Sequence, residues 1–218
     1  MAAERGGADR IELCSEQDVG GLTPSGGLMA ETRANVQIPI FVMIRPRAGD
    51  FVYSEEEFAA IGASIRLAKR MQMDGVVLGA LTAERRVDVE RTRKLVELAR
   101  GMQVTFHRAM DETTNLLEAL EEIIETGADR ILTSGGKPTA LEGVEMIAAL
   151  VKKAQKRIVI LPGAGIHPGN IGEIARRTGA DEFHSGLSSV LGRSADAARF
   201  QDEVRRMAER LRVSSKTL

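Results

Sequence analysis

Gly127-Ala128-Asp129-Arg130-Ile131-Leu132-Thr133-Ser134 is the stretch that decides the fold. Glycine ends a helix with a positive φ, alanine fits a tight corner, and aspartate tolerates the turn. A short apolar run follows at once, as a buried parallel strand requires. The same corner is written at Gly7-Ala8-Asp9 and at Gly179-Ala180-Asp181, and Met73-Asp74-Gly75 stands at an equivalent place. Each copy follows a helical pattern and opens a run such as Ile11-Glu12-Leu13-Cys14. A chain that repeats an αβ corner builds a parallel sheet from βα units.

Seven runs read as strands, at about residues 10–14, 40–45, 75–81, 103–108, 130–134, 157–161 and 182–185. Helical patterns separate them. Ser54 with Glu57 forms a capping box for a helix near 54–71. Asp88 caps the next, near 89–100, and Asn115 the one near 116–126. Pro168 suits the first turn of a helix near 168–178, and a last helix runs near 196–211 and frays at Ser214-Ser215-Lys216. The loop Pro46-Arg47-Ala48-Gly49-Asp50-Phe51-Val52-Tyr53 is the long one, suited to a lid or a subunit contact.

The period of about 30 residues matches a (β/α)8 barrel, with a doubly wound sheet as the competitor. Residues 2–7 read as the tail of a helix with nothing before it. The expectation is a single α/β domain over residues 1–218, a TIM-type barrel lacking its first β-strand. Such a barrel exposes two sheet edges, which invites homo-oligomers.

With 30 Lys and Arg against 31 Asp and Glu, the chain has no charge excess for nucleic acid. It has no Trp, six Phe and one Tyr, too few for base-stacking platforms. No apolar run approaches the ~20 residues of a membrane span, and the first residues carry no apolar signal-peptide core. Cys14 is the only cysteine, so no internal disulfide forms. Together these predict a cytoplasmic chain without membrane or nucleic-acid partners.

Barrel sites lie at the C-terminal ends of strands. Those ends carry Glu12 and Cys14, Arg45 and Arg47, His107 and Arg108, Thr133 and Ser134, then His184 and Ser185. Alternation puts Glu12 with Cys14 on one face and Arg45 with Arg47 on another. Glu12, Arg45, His107 and Asp111 are the acid–base candidates. A plain Glu12–Arg45 ion pair is the structural alternative. Arg45, Arg47, Arg108, Thr133, Ser134, Gly163, Gly165, Ser185 and Gly186 are the candidates for binding a small anion, a phosphorylated one among them. Pro162-Gly163-Ala164-Gly165 and Ser185-Gly186-Leu187-Ser188-Ser189 fall where barrels commonly hold phosphate. Cu(I) prefers thiolate and thioether and accepts imidazole. Cys14, His107 and His184 are its candidate ligands, with Met43 and Met110 able to assist. His167 suits a surface or capping role.

Six segments, in order along nearly the whole chain, resemble the copper homeostasis protein CutC family. They are Ala8-Asp9-Arg10-Ile11-Glu12-Leu13-Cys14-Ser15, Gly20-Gly21-Leu22-Thr23-Pro24-Ser25, Ile40-Phe41-Val42-Met43-Ile44-Arg45-Pro46-Arg47, Val104-Thr105-Phe106-His107-Arg108-Ala109, Ile131-Leu132-Thr133-Ser134-Gly135 and Glu182-Phe183-His184-Ser185. The resemblance implies a TIM barrel, a cytoplasmic protein and a role in handling Cu(I). It also implies a first strand reading like Glu-Val-Cys-Val-Asp, which this sequence lacks together with its thiol. The residues alone name no reaction; an enzyme acting on a small anion is the reading that competes with copper handling.

Overall fold

The computed structural model describes residues 1–187, 191 and 196–214. Six strands form one parallel sheet in the order of the chain: β1 (Ile11–Leu13), β2 (Ile40–Met43), β3 (Gly75–Leu78), β4 (Gln103–Phe106), β5 (Arg130–Thr133) and β6 (Val159–Pro162). A doubly wound sheet reverses its strand order at a switch point. Here the order never reverses, so the sheet wraps one way, as a barrel does.

Helices follow the strands: α1 (Ala2–Arg5) precedes β1, then α2 (Gly26–Asn35), α3 (Glu55–Arg70), α4 (Val89–Leu98), α5 (Leu116–Thr126), α6 (Val144–Ala154), α7 (Ile171–Thr178) and α8 (Ala197–Ser214). Ser54 and Glu57 form the full capping box of α3, and the side chains of Asp88 and Asn115 cap α4 and α5. Gly127 and Gly179 end α5 and α7 at φ of 84° and 67°, the left-handed corner that the Gly-Ala-Asp repeat anticipates.

Alternation along the strands sorts the core. Ile40, Val42 and Ile44 join a large cluster against the helices, while Phe41, Met43 and Val77 form a second cluster inside the curl. Buried on both faces, β2 and β3 carry no polar side chain. No helix among the described residues is long and apolar enough to cross a membrane.

Two expectations need correction. Residues 182–186 have no regular structure, so the seventh strand is absent. Its one strand-like bond runs from the His184 amide to the Pro162 carbonyl at 2.9 Å. On its far side it meets β1 and the residue before it through side chains, Arg10 to Glu182 at 2.9 Å and His184 Nδ1 to Glu12 at 3.8 Å, with no strand pairing to β1 among the described residues. A segment with no ladder partner on that side has nothing to hold it in register. Helix α7 also starts later than Pro168, which lies in a turn. Asn170 makes that turn: its Oδ1 accepts from the His167 amide at 2.9 Å and its Nδ2 donates to the Gly165 carbonyl at 2.9 Å. The frayed end expected at Ser215 and Lys216 lies outside the described residues.

Helix α8 packs on both α1 and α7, and so bridges the side where β1 and residues 182–186 face each other. Gly6 permits this approach. A β-carbon there would stand 2.7 Å from the Gln201 carbonyl oxygen and from Val204 Cβ.

Candidate functional site

The curl encloses a cavity of about 1190 Å³. Its walls include Glu12 in β1 and Cys14 just beyond it, Met43 at the end of β2 and Arg45 beyond it, His107 after β4, and His184. Their spacing of two residues along each strand turns them to the same inner face.

Arg45 does not pair with Glu12. Its guanidinium, 6% exposed, is held by carbonyls: Nη1 donates to Val19 at 2.7 Å and Nη2 to Gly49 at 2.8 Å. Carbonyls of two nearby loops hold it instead, so the alternative of a Glu12–Arg45 ion pair gives way to loop anchoring. Phe51, from the long loop, lies with its ring centroid 4.8 Å from the Arg45 guanidinium carbon and 4.8 Å from the His107 ring. His107 is 3% exposed. Its Nδ1 accepts from the Ala109 amide at 3.2 Å, so the neutral ring carries its proton on Nε2. Burial, reinforced by the Arg45 charge, pushes its pKa down to about 3. A ring held neutral in this way donates a hydrogen bond but takes no proton near neutral pH.

Glu12 and His184 stand 3.8 Å apart at the opening beside β1. Cys14 is half-buried and packs on the Phe41, Met43 and Val77 cluster. A β-carbon on Gly21 would meet Cys14 Sγ at 3.4 Å and Met43 Cε at 3.5 Å, so the thiol and the terminal methyl of the methionine converge on that glycine. Burial raises the Cys14 pKa above that of an ordinary thiol, and the negative charge of Glu12 adds to the rise.

Other candidates are occupied in holding the rim together. Asp111 accepts from Thr133 Oγ1 at 2.6 Å, from the Ser134 and Gly136 amides at 3.0 and 2.9 Å, and from Arg108 Nε at 2.9 Å. So saturated a carboxylate clamps the loop after β5. Arg108 also donates to Ser134 Oγ, which in turn donates to the Lys137 carbonyl. Arg47 is tied to Asp50 and Glu57 at 2.9 and 2.5 Å and lies over the Tyr53 ring. Gly163 serves a close approach, since a β-carbon there would stand 2.5 Å from Leu132 Cδ1. Ala164 and Gly165 turn the chain at φ of 76° and 68°. Ser185 Oγ donates to the Ile166 carbonyl at 2.6 Å, and a β-carbon on Gly186 would meet open space. Ser188 and Ser189 lie outside the described residues.

One cluster has no counterpart in the sequence reading. Glu182 accepts from Arg10 at 2.9 Å and Arg130 at 2.8 Å, and both guanidinium groups lie over the Phe41 ring. Arg130 also donates to Gln103 at 2.8 Å. Arg10 immediately precedes β1 and Arg130 opens β5, and that position carried no signal because barrel sites lie at the other end. Among the described residues, no three His, Cys, Asp or Glu side chains gather closely enough to hold a metal. Cys14, His107 and His184 thus share a cavity without forming one ligand cluster.

The model of the CutC family matches residues 1–189. A CutC family protein of Porphyromonas gingivalis is 54% identical over 185 residues, covering 85% of this chain and 75% of that protein. The human copper homeostasis protein cutC homolog is 49% identical over 188 residues, covering 86% and 69%. The structure of the CutC protein from Streptococcus agalactiae superposes with a TM-score of 0.78 at 33% identity, covering 81% of this chain and 88% of that one. This chain belongs to the CutC family.

Proposed function

We propose that this chain serves copper homeostasis, as the name of its human relative suggests, and takes Cu(I) as cargo at the barrel mouth. The observation that carries the reading is the meeting of Cys14 and Met43 at the cavity wall. Soft thiolate and thioether ligands select Cu(I) over harder cations. Glu12 adds negative charge beside the thiol, which favours a cation. The work fits a reducing cytosol, where a lone cysteine stays a thiol.

Binding through Cys14 requires that its proton leave. Burial and Glu12 hold that proton on, so copper affinity should rise with pH across the neutral range. An anaerobic competition titration against a chromophoric Cu(I) chelator tests the proposal. One equivalent of Cu(I) is expected per chain, lost in Cys14→Ser and weakened in Met43→Leu. Undiminished uptake by Cys14→Ser would refute it.

A further inference from the structure

Arg45 is a cation buried without a counter-charge. Three backbone carbonyls, those of Val19, Gly21 and Gly49, surround its terminal nitrogens. They offer dipoles and no net charge, and among the described residues no carboxylate forms an ion pair with it. Buried ions are ordinarily paired, because leaving water is costly. Its Nε is buried with no hydrogen-bond partner, and so is Nε2 of His107, the nitrogen that carries the ring proton. The Tyr53 hydroxyl is buried close to the Arg45 side chain and interacts with it, without a well-formed hydrogen bond to any group. If that oxygen turned to accept from Arg45 Nε, its own proton would still need an acceptor. The local balance is a surplus of donors and one unmatched positive charge.

We propose that the Arg45–His107 wall of the cavity binds the carboxylate of a small organic acid. One negative charge matches that of Arg45, with which no carboxylate among the described residues forms an ion pair. Two carboxylate oxygens match the Arg45 Nε–H and the His107 Nε2–H. Phe51, packed on both side chains, offers an apolar face for the carbon end of the ligand. A phosphate monoester carries about −1.5 to −2 at neutral pH and would leave charge uncompensated here. The proposed contacts use neither the glycine-rich turns nor Cys14 and Met43, although these line the same cavity, so the inference stands apart from copper handling.

The test uses the full chain, with histidine imidazoles labelled with ¹⁵N and followed by NMR, and with affinities from calorimetry. Acetate, lactate and pyruvate are titrated separately from inorganic phosphate at fixed ionic strength. A saturable shift of the His107 Nε2–H signal with at least one of the acids is expected. Losing one charge-assisted hydrogen bond should weaken binding at least about tenfold in Arg45→Lys and His107→Phe. His107→Asn, which restores an N–H donor, should recover much of it, and circular dichroism checks that each variant is folded. No saturable shift with any acid overturns the proposal. So does a response to phosphate alone, or acid binding that is indifferent to folded Arg45 and His107 variants.

Discussion

The Thr133 hydroxyl donates to the Asp111 carboxylate at 2.6 Å, and so ties the end of β5 to the turn after β4. The same carboxylate gathers the Ser134 and Gly136 amides, with its side chain only 6% exposed. Removing it leaves the buried Thr133 and Ser134 donors without that acceptor. Asp111→Ala should destabilise the fold by about 3 kcal/mol, and Asp111→Asn by about half that, in urea unfolding. A loss below 0.5 kcal/mol for Asp111→Ala, the scale of an ordinary surface change, would show that the clamp is not needed.

Neutral burial of His107 sets a pH dependence. Unfolded, the imidazole titrates near 6.5; folded, it does so at about 3. Between those values the unfolded chain binds a proton that the native chain does not, so stability falls as pH falls. The contribution is complete above about pH 6.5 and fades toward pH 3, by up to about 1.4 kcal/mol per pH unit. Urea unfolding across this window should show a shallower slope for His107→Phe than for the parent chain. Equal slopes would contradict a buried neutral ring.

Gly79 makes room for that ring. A β-carbon at this position would stand 2.8 Å from His107 Nδ1 and Cε1. Gly79→Ala should cost about 1–3 kcal/mol by overpacking. It should also move the ring toward water and bring its titration back up toward the ordinary value, which NMR can follow. An unchanged His107 titration in a stable Gly79→Ala protein would argue against this packing.

Glu182 couples Arg10 with Arg130. Its partial burial acts to raise its pKa, but hydrogen bonds from Arg130 and Arg10 outweigh this and leave it below the usual glutamate value. Stability from this cluster is present above the unfolded glutamate pKa and is lost as pH falls through the lower folded value. Glu182→Gln should flatten the acid limb of the stability curve and lower stability by about 1–2 kcal/mol at pH 7. An acid limb that overlays the parent's would place the acid sensitivity elsewhere.

Cys14 should react slowly with alkylating reagents at neutral pH, because burial and Glu12 hold its proton on. Glu12→Gln removes the neighbouring charge. It should move the pH–rate profile for iodoacetamide toward lower pH while leaving the burial contribution in place. A profile that stays put would show that Glu12 does not reach the thiol.

Legibility followed the locality of the interaction. The caps at Ser54, Asp88 and Asn115 were readable because each joins a side chain to an amide two or three residues away. The Gly-Ala-Asp corners were readable for the same reason. Residues 182–185 have the composition of a strand, but a strand also needs neighbours, and composition does not supply them. Glu12 and Arg45 have complementary charges, yet loop carbonyls at Val19 and Gly49 took the guanidinium. Asp111 looked like chemistry because it follows His107 and Arg108; its donors at Ser134 and Gly136 come from a distant part of the chain. Phe51 lay in a recognisably long loop, but its stacking on His107 depends on how that loop folds back.

Elsewhere around the curl, neighbouring strands are laced by successive amide–carbonyl bonds, each sharing load with the next. Between β1 and Glu182 the stitching is made of charged side chains, with α8 laid across as a brace. Such a seam yields before a laced one does. Amide protons of Ile11–Leu13 and of 182–184 should therefore exchange with solvent well ahead of those in β3 and β4. Breathing at this seam would open the interior from the side, giving the cavity an entrance separate from its mouth.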